Sequence, residues 1–204
     1  HAAAQPLPRT IVIFGSSNAA GVGASTYSVD QTEAGGWASP ATSWAGKLAA
    51  ALSGWTVINR SITGTNTAMS IARFWSDVAP HRPSHVILAT GIHNEGYEAR
   101  TFVRGIAELC RLCDLIGAIP VIRNASVSNS MSAANYAAVK AANQQIEQMG
   151  RPAIDAMSTL DDGSGHFVGG ATYHMGDGVH PNDAGYAALF SAIEREWGGL
   201  DFVV

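Results

Sequence analysis

Five short, mostly apolar runs separated by longer stretches of helical periodicity constrain this chain more than any other feature. The runs are Thr10–Phe14, Trp55–Asn59, His85–Ala89, Ala118–Arg123 and Pro152–Ala156, rich in β-branched residues. A strand that is apolar at successive positions is buried on both faces, as in a parallel sheet covered by helices. The intervening segments supply those helices. They are Thr42–Leu52, stopped by Gly54; Met69–Val78, stopped before Pro80 and Pro83; Arg100–Ile116, ended by Gly117; Ala133–Met149; and Asn182–Trp197. In the last of these Tyr186, Leu189, Ile193 and Trp197 recur on one face. Regular alternation of strand and helix implies a central parallel sheet of five strands with helices on both sides.

Such a sheet needs a large apolar core. Hydrophobic residues make up 47% of the 204 positions and charged residues 14%, enough for one domain over 1–204 with 1–9 as an N-terminal extension. The formal net charge is −4 and no run of Lys and Arg forms a basic stripe, which argues against a nucleic-acid partner. No apolar stretch approaches membrane-spanning length. The chain opens at His1 rather than at a methionine. That suggests a processed or truncated chain; the compartment stays open, with a soluble protein expected and a secreted or periplasmic location favoured over a cytoplasmic one. Cys110 and Cys113 sit inside a helical pattern rather than at a helix start, so they read as two small core residues rather than a redox pair.

Polar, glycine-bearing turns follow the first three strands. Gly15-Ser16-Ser17-Asn18 ends the first, and in open α/β sheets ligands bind in the crevice at such strand ends. Ser17 would open a helix with its N–H toward the crevice, where a negative oxygen can be held; a plain helix cap is the alternative for either serine. Arg60–Asn66 follows the second strand, and Gly64 there lets backbone approach a ligand, or is an ordinary turn glycine. Thr90–Gly96 follows the third, with Asn94 able to offer a side-chain N–H and no task evident for His93 or Glu95. Asn124–Ser130 is a further polar strand-end loop. Trp37, Trp75, Tyr97 and Tyr173 lie in or beside the loops, where they stack on a sugar or pack as ordinary aromatics.

Near the C-terminus, Gly176-Asp177-Gly178-Val179-His180-Pro181 places an aspartate three residues before a histidine. A carboxylate there can hold one imidazole nitrogen and leave the other free to take a proton. Pro181 fits the first turn of the helix that follows, capped by Asn182 or Asp183. Two other accounts fit the same residues. One is a polar cap on a surface turn; the other is a metal site using His166, His174, Asp177 and His180, whose spacing matches none of the usual zinc patterns.

Gly-Ser-Ser after strand one, Gly64 after strand two, Asn94 after strand three and Asp177-x-x-His180 before the last helix occur in this order. The arrangement resembles the SGNH (GDSL-like) hydrolase superfamily over Thr10–Trp197. The resemblance implies a flavodoxin-like three-layer α/β/α sandwich with a central parallel five-stranded sheet, and ester hydrolysis that uses no cofactor and no metal. By residue it implies Ser17 as nucleophile, His180 as general base and Asp177 as its orienter, with the oxyanion held by Ser17 N–H, Gly64 and Asn94. The expected partner is a small-molecule or glycan ester, perceived as a short acyl ester such as an O-acetyl carbohydrate. Lipid acyl hydrolase, arylesterase and thioesterase activities are the alternatives within the class, and a non-catalytic glycan-binding domain is the alternative outside it. Two positions depart from the family pattern: Ser16 stands where it has aspartate, and Glu95 follows Asn94 where it has a second aspartate.

Overall fold

The computed structural model describes residues 9–32 and 38–196. β1 (Thr10–Gly15) leads into α1 (Ser17–Ala20), α2 (Val29–Thr32), α3 (Trp44–Ala51) and β2 (Thr56–Asn59). Then come α4 (Thr67–Asp77), β3 (His85–Ala89), a 3-10 turn over Ile92–Glu95, α5 (Ala99–Leu115) and β4 (Ile119–Arg123). α6 (Ala133–Glu147), β5 (Ala153–Ile154), α7 (Ala156–Leu160) and α8 (Asp183–Glu196) complete the chain. The strands form one sheet of order β2-β1-β3-β4-β5, parallel at every pairing. Helices α3, α7 and α8 pack together, and α4, α5 and α6 form a second set. This is the three-layer α/β/α sandwich.

The physical reason is visible strand by strand. Ile11, Val12, Ile13 and Phe14 of β1 and Val86, Ile87, Leu88 and Ala89 of β3 are all fully buried. Both strands therefore have helices over each face. In α5 the buried residues Phe102, Ile106, Leu109 and Cys113 recur at spacings of four, three and four, so the segment meets the sheet only as a helix. Cys110 and Cys113 are free and buried; burial pushes the Cys110 thiol up to about 11 and Cys113 higher still, as befits inert core residues.

Four boundaries differ from the sequence reading. The fifth strand contracts to Ala153–Ile154, because the Asp155 carboxylate accepts Ser158 N–H and starts α7 at Ala156, a position the apolar run predicts to be strand. The stretch 19–40, whose Gly-, Ala- and Ser-rich composition with no clear period predicts a loop, contains the end of α1 and the single turn of α2. The last helix begins at Asp183, capped by Asn182, whose Oδ1 accepts Gly185 N–H at 3.0 Å. Pro181 stands before the cap, bridged to His174, rather than in the first turn. Trp37 and Trp197 lie outside the described residues.

The order of strands sets where the site lies. From β1 the chain first adds β2 on one side, then crosses back to add β3 on the other. The C-terminal ends of β1 and β3 thus flank the point at which the winding reverses, where α/β sheets open a crevice.

Candidate active site

Backbone contacts at that point are close. Gly15 pairs with Ala89 across β1 and β3, and a Cβ on Gly15 would lie 2.3 Å from Ala89 O. Only glycine lets the two strand ends approach so far. Ser16 N–H donates to Ala89 O at 3.3 Å and its side chain is buried, so Ser16 closes the elbow while the next residue turns outward. That residue, Ser17, is half-buried and opens α1. Its N–H has no intrahelical acceptor before it.

The turn after β2 is anchored to the same spot. Ile62 N–H and Thr65 Oγ1 both donate to Gly15 O, each at 3.1 Å. Gly64, at φ +76°, stands exposed between them, with open space where a side chain would be. The turn after β3 joins through Asn94, whose Nδ2 donates to Thr65 O at 2.8 Å. One amide hydrogen of Asn94 is thereby used, leaving the other. Ser17, Gly64 and Asn94, far apart in sequence, are thus gathered around Gly15 and Thr65.

Asp177 and His180 form a tightly determined pair. One carboxylate oxygen accepts the N–H groups of Val179 and His180, each at 2.9 Å. The other lies 2.5 Å from His180 Nδ1. Burial raises the Asp177 pKa, but the His180 N–H, its imidazole and the Val179 N–H outweigh it, so the carboxyl titrates below its ordinary range. With Nδ1–H donating to the carboxylate, Nε2 carries the lone pair.

The turn bearing this pair packs on the segment that leaves α1. A Cβ on Gly23 would lie 2.3 Å from Pro181 O and 3.3 Å from His180 Cβ. Asp183 receives Ser25 N–H at 2.8 Å and Ser25 Oγ at 2.5 Å. Tyr186 Oη, from α8, donates to Val22 O at 2.6 Å. Val22 N–H in turn donates to Ser17 O at 3.0 Å. The two ends of the chain therefore meet through residues 22–25.

Three supports were not legible from sequence. His174 Nδ1 accepts Gly176 N–H at 3.0 Å and Gly178 N–H at 3.1 Å, shaping the turn around Asp177 from inside. Asn129 N–H holds the same turn through Gly178 O at 2.7 Å. The Glu95 carboxylate receives Thr67 N–H and Thr67 Oγ1, both at 2.6 Å, tying the Asn94 turn to the start of α4. His174 spends its Nδ1 on backbone, so the structure uses it as a brace within the turn. A His-x-Gly-x-Gly spacing was the only signal available, and it is common in loops. Of the aromatic residues, Trp75 is 55% exposed on α4, whereas Tyr97 and Tyr173 are half-buried against the core.

Fold and site together define a class: a hydrolase of the three-layer α/β/α type, with its polar residues at the carboxyl ends of a parallel sheet. Residues 13–188 match the family model of the GDSL-like lipase/acylhydrolase family, and the chain belongs to that family of carboxylic-ester hydrolases. The fold is shared with a lipolytic protein of the G-D-S-L family from Desulfitobacterium hafniense, 17% identical, at a TM-score of 0.72 over 92% of this chain and 99% of that one. It is shared with the lipase/acylhydrolase of Enterococcus faecalis, 23% identical, TM-score 0.67, covering 94% and 96%. An acetylxylan esterase from Geobacillus stearothermophilus, 17% identical, superimposes with TM-score 0.69 over 93% and 94%. No curated protein matches the sequence. Among the described residues no helix is long and apolar enough to cross a membrane.

Proposed function

We propose that the chain is a serine esterase that hydrolyses a short-acyl ester, with an O-acetyl group on a carbohydrate as its substrate class, through an acyl-enzyme. The observation that carries this is the Asp177–His180 pair, held at 2.5 Å beside the segment that follows Ser17. In this reading Nε2 of His180 takes the Ser17 proton as Oγ attacks the acyl carbon, and returns a proton to the leaving alkoxide. Asp177 holds the ring and stabilises the imidazolium. The oxyanion is received by the N–H groups of Ser17 and Gly64 and by the remaining amide hydrogen of Asn94. Water attacks the acyl-enzyme by the same base and frees the acid.

A short acyl group is supported by the character of the neighbouring loop. Asn124, Ser126 and Ser128, which follow β4, are buried, and Asn18, next to Ser17, donates to Ser126 Oγ. A long acyl chain needs apolar walls, and the residue of this loop tied to the segment carrying Ser17 is the polar Ser126. The acetylxylan esterase among the similar structures agrees with a carbohydrate ester. Hydrolysis of p-nitrophenyl esters from acetyl to decanoyl, alongside acetylated xylan, tests the assignment. The rate is expected to fall as the acyl chain lengthens and acetate to be released from the glycan. A maximum at eight carbons or more would replace it with lipid acyl hydrolysis. Glycan binding without turnover would replace it with a binding domain.

A further inference from the structure

Arg123 ends β4 only 2% exposed. Its Nε and Nη1 are buried without a hydrogen-bond partner, and no carboxylate pairs with it among the described residues. Register fixes where its backbone sits. Leu88 pairs with Ile122, which puts Arg123 beside Ala89, and Ala89 pairs with Gly15 on the far side. Gly15, Ala89 and Arg123 thus make one row across three strand ends, spanning about 10 Å between the outer two, directly under the turns that carry Ser17 and Asn94.

The groups that feel Arg123 come from both flanking layers. His93, in the turn after β3, has its own Nε2 buried without a partner. Its pKa is lowered to about 4, by burial first and then by Arg123 and His180. Tyr186 of α8 is fully buried and its phenol, bonded to Val22 O, feels the charges of both Arg123 and Asp177. Burying a guanidinium with Nε and Nη1 unpartnered carries a desolvation cost that these two groups do not recover, so an apolar side chain of similar volume should be neutral or stabilising for the fold.

We propose that Arg123 is a positioning residue acting through its field: two strands from Ser17, its charge favours the oxyanion that develops when the serine attacks. The proposal rests on Ser17 being the nucleophile. For separations on the order of 10 Å, a unit charge at the effective dielectric of a protein site is worth roughly tenfold or more in rate.

Arg123→Met, Arg123→Gln and Arg123→Lys are compared with the wild type on p-nitrophenyl acetate for kcat, KM and Tm. The methionine and glutamine variants are expected to lose about tenfold or more in kcat with KM changed less. Tm should hold or rise. Lysine should restore most of kcat. The proposal is overturned if the methionine variant keeps the wild-type kcat, or if lysine falls as far as methionine. Should the methionine variant fail to fold, an identical kcat in the glutamine and lysine variants overturns it instead. A Ser17→Ala control separates the two levels. Wild-type activity in that variant removes the nucleophile and this proposal with it, whereas an inactive Ser17→Ala beside an undiminished Arg123→Met removes only the role of Arg123.

Discussion

The two halves of the site are built by different means. Around Gly15 the sheet does the positioning: Ser16 N–H bonds Ala89 O, Ile62 N–H bonds Gly15 O, and the strands beneath are fully buried. Around Asp177 no strand is present. The turn is held by side chains instead, chiefly His174 on two backbone N–H groups and Asn182 Nδ2 on Thr172 O and His174 O. If Ser17 and His180 act as proposed, a nucleophile carried on backbone ladders is insensitive to most single side-chain changes near it. A base carried on a side-chain-braced turn is then sensitive to every brace.

The largest effects test whether the two halves act together. Ser17→Ala and His180→Ala should each remove nearly all activity, several powers of ten in kcat, and the double variant should lose no more than either alone, as for residues that work as a unit. A double variant whose losses multiply would mean that the halves serve separate steps. Asp177→Asn is expected to be less severe, near 10²–10⁴-fold, since the imidazole keeps its place but loses its charge partner. The check is kcat on p-nitrophenyl acetate.

The asymmetry itself is probed by His174→Leu against Ser61→Ala. Ser61 is buried beside the Gly64 turn and its hydroxyl has no partner, so its loss should change kcat less than twofold. Removing the His174 brace frees Gly176 and Gly178 N–H and should cut kcat about ten- to a hundredfold. Equal effects at the two positions would erase the distinction.

A smaller effect concerns acid. His93 has a folded pKa of about 4, below the ordinary imidazole value of 6.5. The unfolded chain binds its proton first, so stability falls as pH drops from 6.5 towards 4, by up to roughly 3 kcal/mol. His93→Asn should flatten the dependence of Tm on pH across that window. An unchanged slope would show that His93 does not carry it.

Legibility followed the same division. The strands β1 and β3 were readable because burial on both faces leaves an unbroken apolar run, and the turns after them because polar residues and glycine end the run sharply. Asp177 and His180 were readable because their contact is local, three residues apart. What sequence could not show is tertiary. Glu95 meets Thr67 across 28 positions, His174 reaches backbone N–H groups that carry no side-chain signature, and Asp155 looks like a strand residue until its carboxylate is seen starting α7. Arg123 closes an otherwise apolar strand, and nothing in its sequence neighbours signals that its charge is buried.

Covalent labelling tests the central claim most directly: that the sheet-borne serine and the turn-borne imidazole form one catalytic unit. A fluorophosphonate ester should add once per chain, the adduct mapping to Ser17 by peptide mass spectrometry, and the addition should slow by orders of magnitude in His180→Ala. An adduct on Ser16 or Ser25, or labelling of Ser17 at the same rate without His180, would contradict it.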